Sequence, residues 1–251
     1  MATDVSRASI LPLALEDLCF EAGGQRLLRD VGVRIDAGPP TLLLGPNGAG
    51  KSLTLRIAHG LLKPCSGHVR WCGSAARGGA ADASFIRRCQ TMVFERPVHL
   101  RRSAAANVEY PLALRGVGRA DRRARTREVL AKSGLSNLAD RSARVLSAGE
   151  QQRLALARAW AIDPEVLFLD EPTAALDPAA TRAVEALIQA ISDSGAKIIM
   201  TTHDLGQARR LAGDILFLCA GALVECAPAE RFFESPASDA ARAFLRGDLV
   251  W

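Results

Sequence analysis

"TLLLGPNGAGKS", residues 41 to 52, decides how the rest of the chain is read. Thr41 to Leu44 form a short continuous apolar run. A run of that kind suits a strand buried on both faces, which means a parallel sheet with helices on each side. Gly45 to Ser52 fit G-x-x-x-x-G-K-[ST], and the helix-like "LTLRIAHGLL" follows. A strand before this loop and a helix after it are the context a phosphate-binding loop needs. Glycines let backbone wrap a phosphate without side-chain clash, and exposed N–H groups at a helix N-terminus attract the anion. Gly45, Pro46, Asn47, Gly48, Ala49 and Gly50 are therefore candidates to cradle a nucleotide. Lys51 can reach its β and γ oxygens, and the Ser52 hydroxyl can ligate Mg2+. The bland alternative, a simple glycine turn, does not explain the flanks.

Two more runs resemble the first. "VLFLDE" (166 to 171) ends in Asp170, placed to hold Mg2+ through water, and Glu171, a candidate general base for an attacking water. "KIIMTTHD" (197 to 204) ends in His203 and Asp204. Between the runs lie helical stretches. "EQQRLALARAWAI" (150 to 162) carries an apolar stripe, and "DPAATRAVEALIQAIS" opens on Asp177 as N-cap with Pro178 first in the helix, stopping at Gly195. Strand alternating with helix argues for an α/β fold with right-handed crossovers.

Residues 97 to 146 break that rhythm. They lack a convincing buried strand and are rich in arginine and alanine, which reads as a helical insertion. Arg115, Arg119, Arg122, Arg123, Arg125 and Arg127 read most simply as its solvated face. Residues 72 to 84 read as a small-residue loop.

The 251 residues, 49% hydrophobic, suffice for one sizeable core with a small satellite. A net charge of +5 hints only weakly at anionic partners. No run of about 18 apolar residues exists, so the chain is not expected to span a membrane by itself. The N-terminus lacks a secretory pattern. Six cysteines without a Cys-x-x-Cys pair argue against zinc and suggest buried, reduced thiols.

"VLSAGEQQRLALARAW" (145 to 160) closely resembles the LSGGQ signature of ABC-transporter ATPases with its following basic helix. "LFLDEPTAALDP" resembles that family's Walker B strand and D-loop, and "TTHD" its switch region. Phe20 stands where the family's adenine-stacking aromatic stands, although a core residue would look the same. The resemblance runs from about residue 13 to 235. It implies a P-loop NTPase of the ABC nucleotide-binding type: a RecA-like parallel-sheet core, an antiparallel β subdomain, and a helical insertion at about 97–150. Residues 236–251 then make a short C-terminal tail.

Family membership further implies ATP and Mg2+ as ligands, and a homodimer closing head to tail around two nucleotides. Ser147, Gly149 and Glu150 would meet the γ-phosphate held on the other subunit, with Asp177 in the D-loop. Ser147 and Glu150 also form an S-x-x-E capping box, and both roles can hold. Ala148 departs from the family glycine by one methyl group. His203 would contact the γ-phosphate and orient Glu171.

A single cassette resembles the ATPase subunit of an importer built from separate polypeptides. It would sit on the cytoplasmic face of the membrane beneath permease subunits, with a periplasmic binding protein as a further partner. "RPVHLRRSAAANV" (96 to 108) resembles cassettes of oxyanion importers, tungstate ahead of phosphate and molybdate. The alternatives are an exporter or lipoprotein-release cassette, or a soluble ABC ATPase acting on nucleic acid. The latter families carry coiled-coil insertions or paired cassettes, so no nucleic acid is expected. Glu95, in "TMVFERPVHL" (91 to 100), stands at the family's Q-loop glutamine. It keeps an oxygen for Mg2+ but adds a negative charge and removes the amide's N–H donors.

Overall fold

The computed structural model describes residues 9–73 and 80–248. The apolar runs are strands, and they pair as expected. The main sheet has the order β5-β6-β7-β3-β8-β9, from β3 (Thr41–Leu44), β5 (Gln90–Val93), β6 (Val166–Asp170), β7 (Lys197–Thr201), β8 (Asp214–Cys219) and β9 (Ala222–Pro228). Its first five strands are parallel, and β9 returns antiparallel to β8.

Side chains of successive strand residues point to opposite faces. Leu42, Leu44, Leu167, Leu169, Ile198 and Met200 join one apolar cluster, shared with α6 (Pro178–Asp193). Leu43, Phe168 and Ile199 join another, shared with Leu55 and Ile57 of α1 (Lys51–His59). The second cluster also takes Leu13, Leu15, Leu18, Leu28 and Val31 from a separate antiparallel sheet. That sheet has the order β2-β1-β4, from β1 (Leu13–Ala22), β2 (Gln25–Ile35) and β4 (Ser66–Trp71). Gly23 and Gly24, both at positive φ, make the two-residue turn that joins β1 to β2.

The third cluster belongs to the helical insertion: α3 (Ala104–Leu114), α4 (Arg119–Lys132) and one side of α5 (Ala148–Ala161). Leu154 and Ala157 of α5 face this insertion, whereas Ala155, Leu156 and Trp160 face the sheet cluster. A helix apolar on both sides is a buried strut between two cores.

Several expectations change. Within 72–84, read as a loop, residues from Ala80 form α2 (Ala80–Cys89), while 74–79 lie outside the described residues. Within 236–251, read as a short tail, α9 (Asp239–Arg246) docks on the core, with Ala241 fully buried and Phe244 against Phe217. The arginine stretch is not wholly a solvated face. Arg125 donates to the carbonyls of Trp160 and Ala161, and Arg115 to those of Ile162 and Arg88. Cations there satisfy the carbonyls that the C-terminal ends of α5 and α2 leave open. None of the six cysteines forms a disulfide, and only Cys19 and Cys219 are buried.

Candidate functional site

The loop between β3 and α1 is shaped by backbone that only glycine adopts freely. Gly45, Gly48 and Gly50 have φ of +148°, +82° and +95°. A Cβ on Gly45 would meet the Leu218 carbonyl oxygen at 2.0 Å, and one on Gly50 the Leu28 side chain at 2.5 Å. Gly48 faces open space. Gly50 caps α1 without a side chain, so the helix's first N–H groups remain available to an anion.

Lys51 is buried at the start of α1, and its Nζ donates to the carbonyls of Gly45 (2.8 Å) and Pro46 (3.0 Å). Burial lowers its pKa, against the pull of the Glu171 and Asp170 carboxylates. Ser52 follows it, half-buried.

Asp170, the last residue of β6, is 3% exposed, and both its oxygens are engaged. Thr201 on β7 donates to Oδ1 (3.0 Å), and Arg56 on α1 pairs with Oδ2 (3.0 Å). Glu171 then turns into left-handed backbone, φ +44°, with its N–H held by Thr201 Oγ1 at 2.9 Å. This turn takes the Glu171 side chain out of the strand's alternation. Its Oε2 meets His203 Nδ1 at 2.8 Å. The sequence pointed to Asp170, Glu171 and His203, and the structure brings them together beside Lys51. It missed Arg56 and Thr201. Thr201 was visible in "TTHD", but nothing in the sequence pairs Arg56 with a carboxylate 114 residues away.

The remaining candidates stand apart from this group. Ser147 caps α5 in a complete capping box with Glu150, whose carboxyl is held below the usual range by the Ser147 N–H and hydroxyl. Gly149 lies against α6, where a Cβ would meet Ala180 Cβ at 2.7 Å, so packing requires this glycine as well as any ligand. Asp177 spends its Oδ1 on the N–H groups of Ala179 and Ala180, both at 2.9 Å. Phe20 on β1 is half-buried against the second cluster. Glu95 is exposed on a cavity of about 280 Å3 that Gln152, Ala148 and Pro172 also line. Gln152 is 2% exposed, and its Nε2 has no hydrogen-bond partner among the described residues.

The glycine-rich loop, the buried lysine and the strand-end carboxylates stand together as a candidate nucleotide site, and the chain's relatives share one family. Residues 28–174 match the family model described as ABC transporter. The chain belongs to the ABC transporter family. Its ABC relatives include the tungstate uptake system ATP-binding protein of Peptoclostridium acidaminophilum, 37% identical, covering 89% of this chain and all of the relative. They also include a phosphate import ATP-binding protein of Natronomonas pharaonis, 34% identical over 95% of this chain and 88% of the relative. A histidine transport ATP-binding protein of Pseudomonas aeruginosa is equally similar, at 34% over 94% and 98%. CbiO1 of Clostridium perfringens, described as part of an ABC transporter complex, superposes with a TM-score of 0.78 at 26% identity, covering 96% of both chains. As an ABC cassette this chain binds ATP and is an ATPase coupled to transport. No helix of the described residues is long and apolar enough to cross a membrane.

Proposed function

We propose that the chain is the ATP-binding subunit of an importer for a small oxyanion, tungstate before phosphate. The observation that carries the catalytic part is the Glu171–His203 contact at 2.8 Å beside the glycine-rich loop. The substrate class rests on "RPVHLRRSAAANV" and on two relatives named for tungstate and phosphate. The histidine relative is the reason a substrate assay is required.

Residues 13–235 act as one nucleotide-binding unit, with about 97–150 as its inserted helical part. The loop's N–H groups and Lys51 bind the β and γ phosphates, and Phe20 stacks on adenine. The donors available for Mg2+ fit that ion. The Ser52 hydroxyl and the Asp170 and Glu95 carboxylates are hard oxygen ligands, and Mg2+ takes few of these, filling its shell with phosphate and water. Bound there, it would neutralise charge on the phosphates. Glu171 accepts the proton of the attacking water, and His203 fixes the orientation of its carboxylate. The α5 N-terminus with Ser147, Gly149 and Glu150, and the Asp177 loop, serve the nucleotide held by a second copy. The dimer docks under permease subunits on the cytoplasmic face of the membrane, supplied by a periplasmic binding protein.

Two experiments test this. Glu171→Gln removes the base and keeps Lys51, Ser52 and Asp170, so it should trap an ATP-bound dimer. A variant that stays monomeric at saturating ATP, or hydrolyses ATP at the native rate, refutes the assignment. ATP-dependent uptake of labelled tungstate, with phosphate and histidine as competitors, should be lost in cells lacking the chain.

A further inference from the structure

We infer that Thr173 and Gln207 form a positioning bridge that holds the Glu171 loop against the His203 loop. This rests on the reading of Glu171 and His203 given above. The helix α7 (Leu205–Leu211) starts two residues after His203, with Asp204 as its N-cap. Gln207, in its first turn, is fully buried. Its Nε2 donates to Thr173 Oγ1 at 2.8 Å and to Glu185 Oε1 at 3.1 Å. Thr173 lies two residues after Glu171. Glu185, on α6, is 5% exposed and accepts two hydrogen bonds from Arg210 further along α7, at 2.8 and 2.7 Å.

The result is a chain Thr173–Gln207–Glu185–Arg210 that ties three elements together: the loop after β6, α6 and α7. Both candidate catalytic side chains leave the backbone within four residues of it. Thr173, Glu185 and Arg210 also wall the cavity of about 610 Å3 that opens beside Glu171 and His203.

The amide is held at a cost. Gln207 Oε1 is buried without a hydrogen-bond partner among the described residues. An unsatisfied buried acceptor is destabilising, a cost that an apolar side chain of the same shape would not carry. Glu185 has Arg210 in any case, so packing alone gives no reason for an amide here. What the amide alone provides is two N–H donors pointing at two different elements. Neither the Gln207 nor the Thr173 side chain hydrogen-bonds Glu171 or His203, so their effect is on where those two residues stand.

The test uses the full chain and its ATPase activity. Thr173→Val keeps the shape and loses the acceptor; Thr173→Ser keeps the acceptor. Gln207→Met keeps the length and loses both donors. Thr173→Val and Gln207→Met should each lower kcat about tenfold or more, since small misplacements at a reacting centre are that costly. The KM for ATP should change less than about twofold, because the phosphate loop is untouched. The double variant should be no slower than either single one, Thr173→Ser should stay near native, and Gln207→Met should melt no lower than the native chain. Native kcat in Thr173→Val, an equal fall in Thr173→Ser, or additive effects in the double variant overturn the bridge. Glu171→Gln is run beside them. If it is inactive while Thr173→Val is native, the bridge alone fails; if it turns over at the native rate, the reading of Glu171 fails and takes the bridge with it.

Discussion

Arg56→Met probes the least expected contact of the candidate nucleotide site. Arg56 is the cation paired with Asp170, whose side chain is 4% exposed. Removing one partner of a buried pair costs about 3–5 kcal/mol, because an uncompensated charge is left inside. Two features reduce that here. Arg56 itself is 45% exposed and so partly screened by water, and Thr201 still donates to the other Asp170 oxygen. A loss of about 2 kcal/mol follows, between the buried and the exposed limits. For a chain of this length that lowers the melting temperature by about 4–8 °C. Arg56→Lys, which keeps the charge on a helix-compatible stem, should recover part of it.

The loss should also depend on ligand. If Asp170 faces a Mg2+ ion when nucleotide is bound, that cation supplies the charge Arg56 no longer does. Thermal unfolding is therefore measured with and without Mg2+ and a non-hydrolysable ATP analogue. The gap between variant and native chain should shrink by about 1 kcal/mol with both ligands present, equal to about fivefold tighter relative binding. Nucleotide with chelator should not shrink it. A variant within about 0.5 kcal/mol of native, the range of ordinary surface substitutions, would refute the pairing as a stabilising contact. A gap unchanged by Mg-nucleotide would refute the place of Asp170 beside the metal.

The remaining predictions concern the region where sheet and helical insertion meet. No hydrogen bond of normal geometry reaches the buried ring nitrogens of His99 among the described residues, and burial, helped by the Arg158 guanidinium and only partly offset by the nearby Gln151 backbone, pushes its pKa down to about 4. The unfolded ring takes its proton near pH 6.5, so this contribution is complete above about pH 6.5 and is lost as pH falls toward 4. Allowing for solvent reaching the ring, urea unfolding should show about 1–2 kcal/mol of acid sensitivity that His99→Leu removes; an unchanged pH slope in the variant would sink the idea. If Glu95 stands near the γ-phosphate as proposed, Glu95→Gln removes one negative charge there, worth about 1 kcal/mol at short range in a well-solvated site, so the native chain should hydrolyse ATP and the variant up to about fivefold faster. A native chain without turnover, restored by the variant, would mean the carboxylate disables the site.

The parallel core was legible because "TLLL", "VLFLD" and "KIIMT" admit no water on either face, and all five residues of β6 and of β7 are buried. Caps were legible because Ser147 and Asp177 act on N–H groups within three residues. What escaped depends on partners far along the chain. Arg115 and Arg125 look like any solvated arginine until the ends of α2 and α5 arrive beside them. Arg56 sits on the exposed side of a helix, and only the packing of α1 across β6 and β7 brings it to Asp170. For α2 and α9, small and charged residues hid short helices that gain stability from docking rather than from propensity.

The two positions after Ser147 show how packing and ligand binding can demand the same residue. Family resemblance expects glycine at both 148 and 149, and this chain keeps only the second. Ala148 is exposed at the first turn of α5, where an added methyl group meets solvent. Gly149 instead faces α6, and a methyl group there would press on Ala180 at 2.7 Å, well inside ordinary contact. The glycine that was replaced is the one packing does not need, and the one retained is the one it does. A phosphate approaching the α5 N-terminus would ask for small residues at both places, so it does not by itself explain the difference, whereas the α5–α6 contact does. Loss of activity in Gly149→Ala would for that reason report helix packing first. Ala148→Gly, which leaves that contact alone, is the substitution that isolates how closely a phosphate must approach.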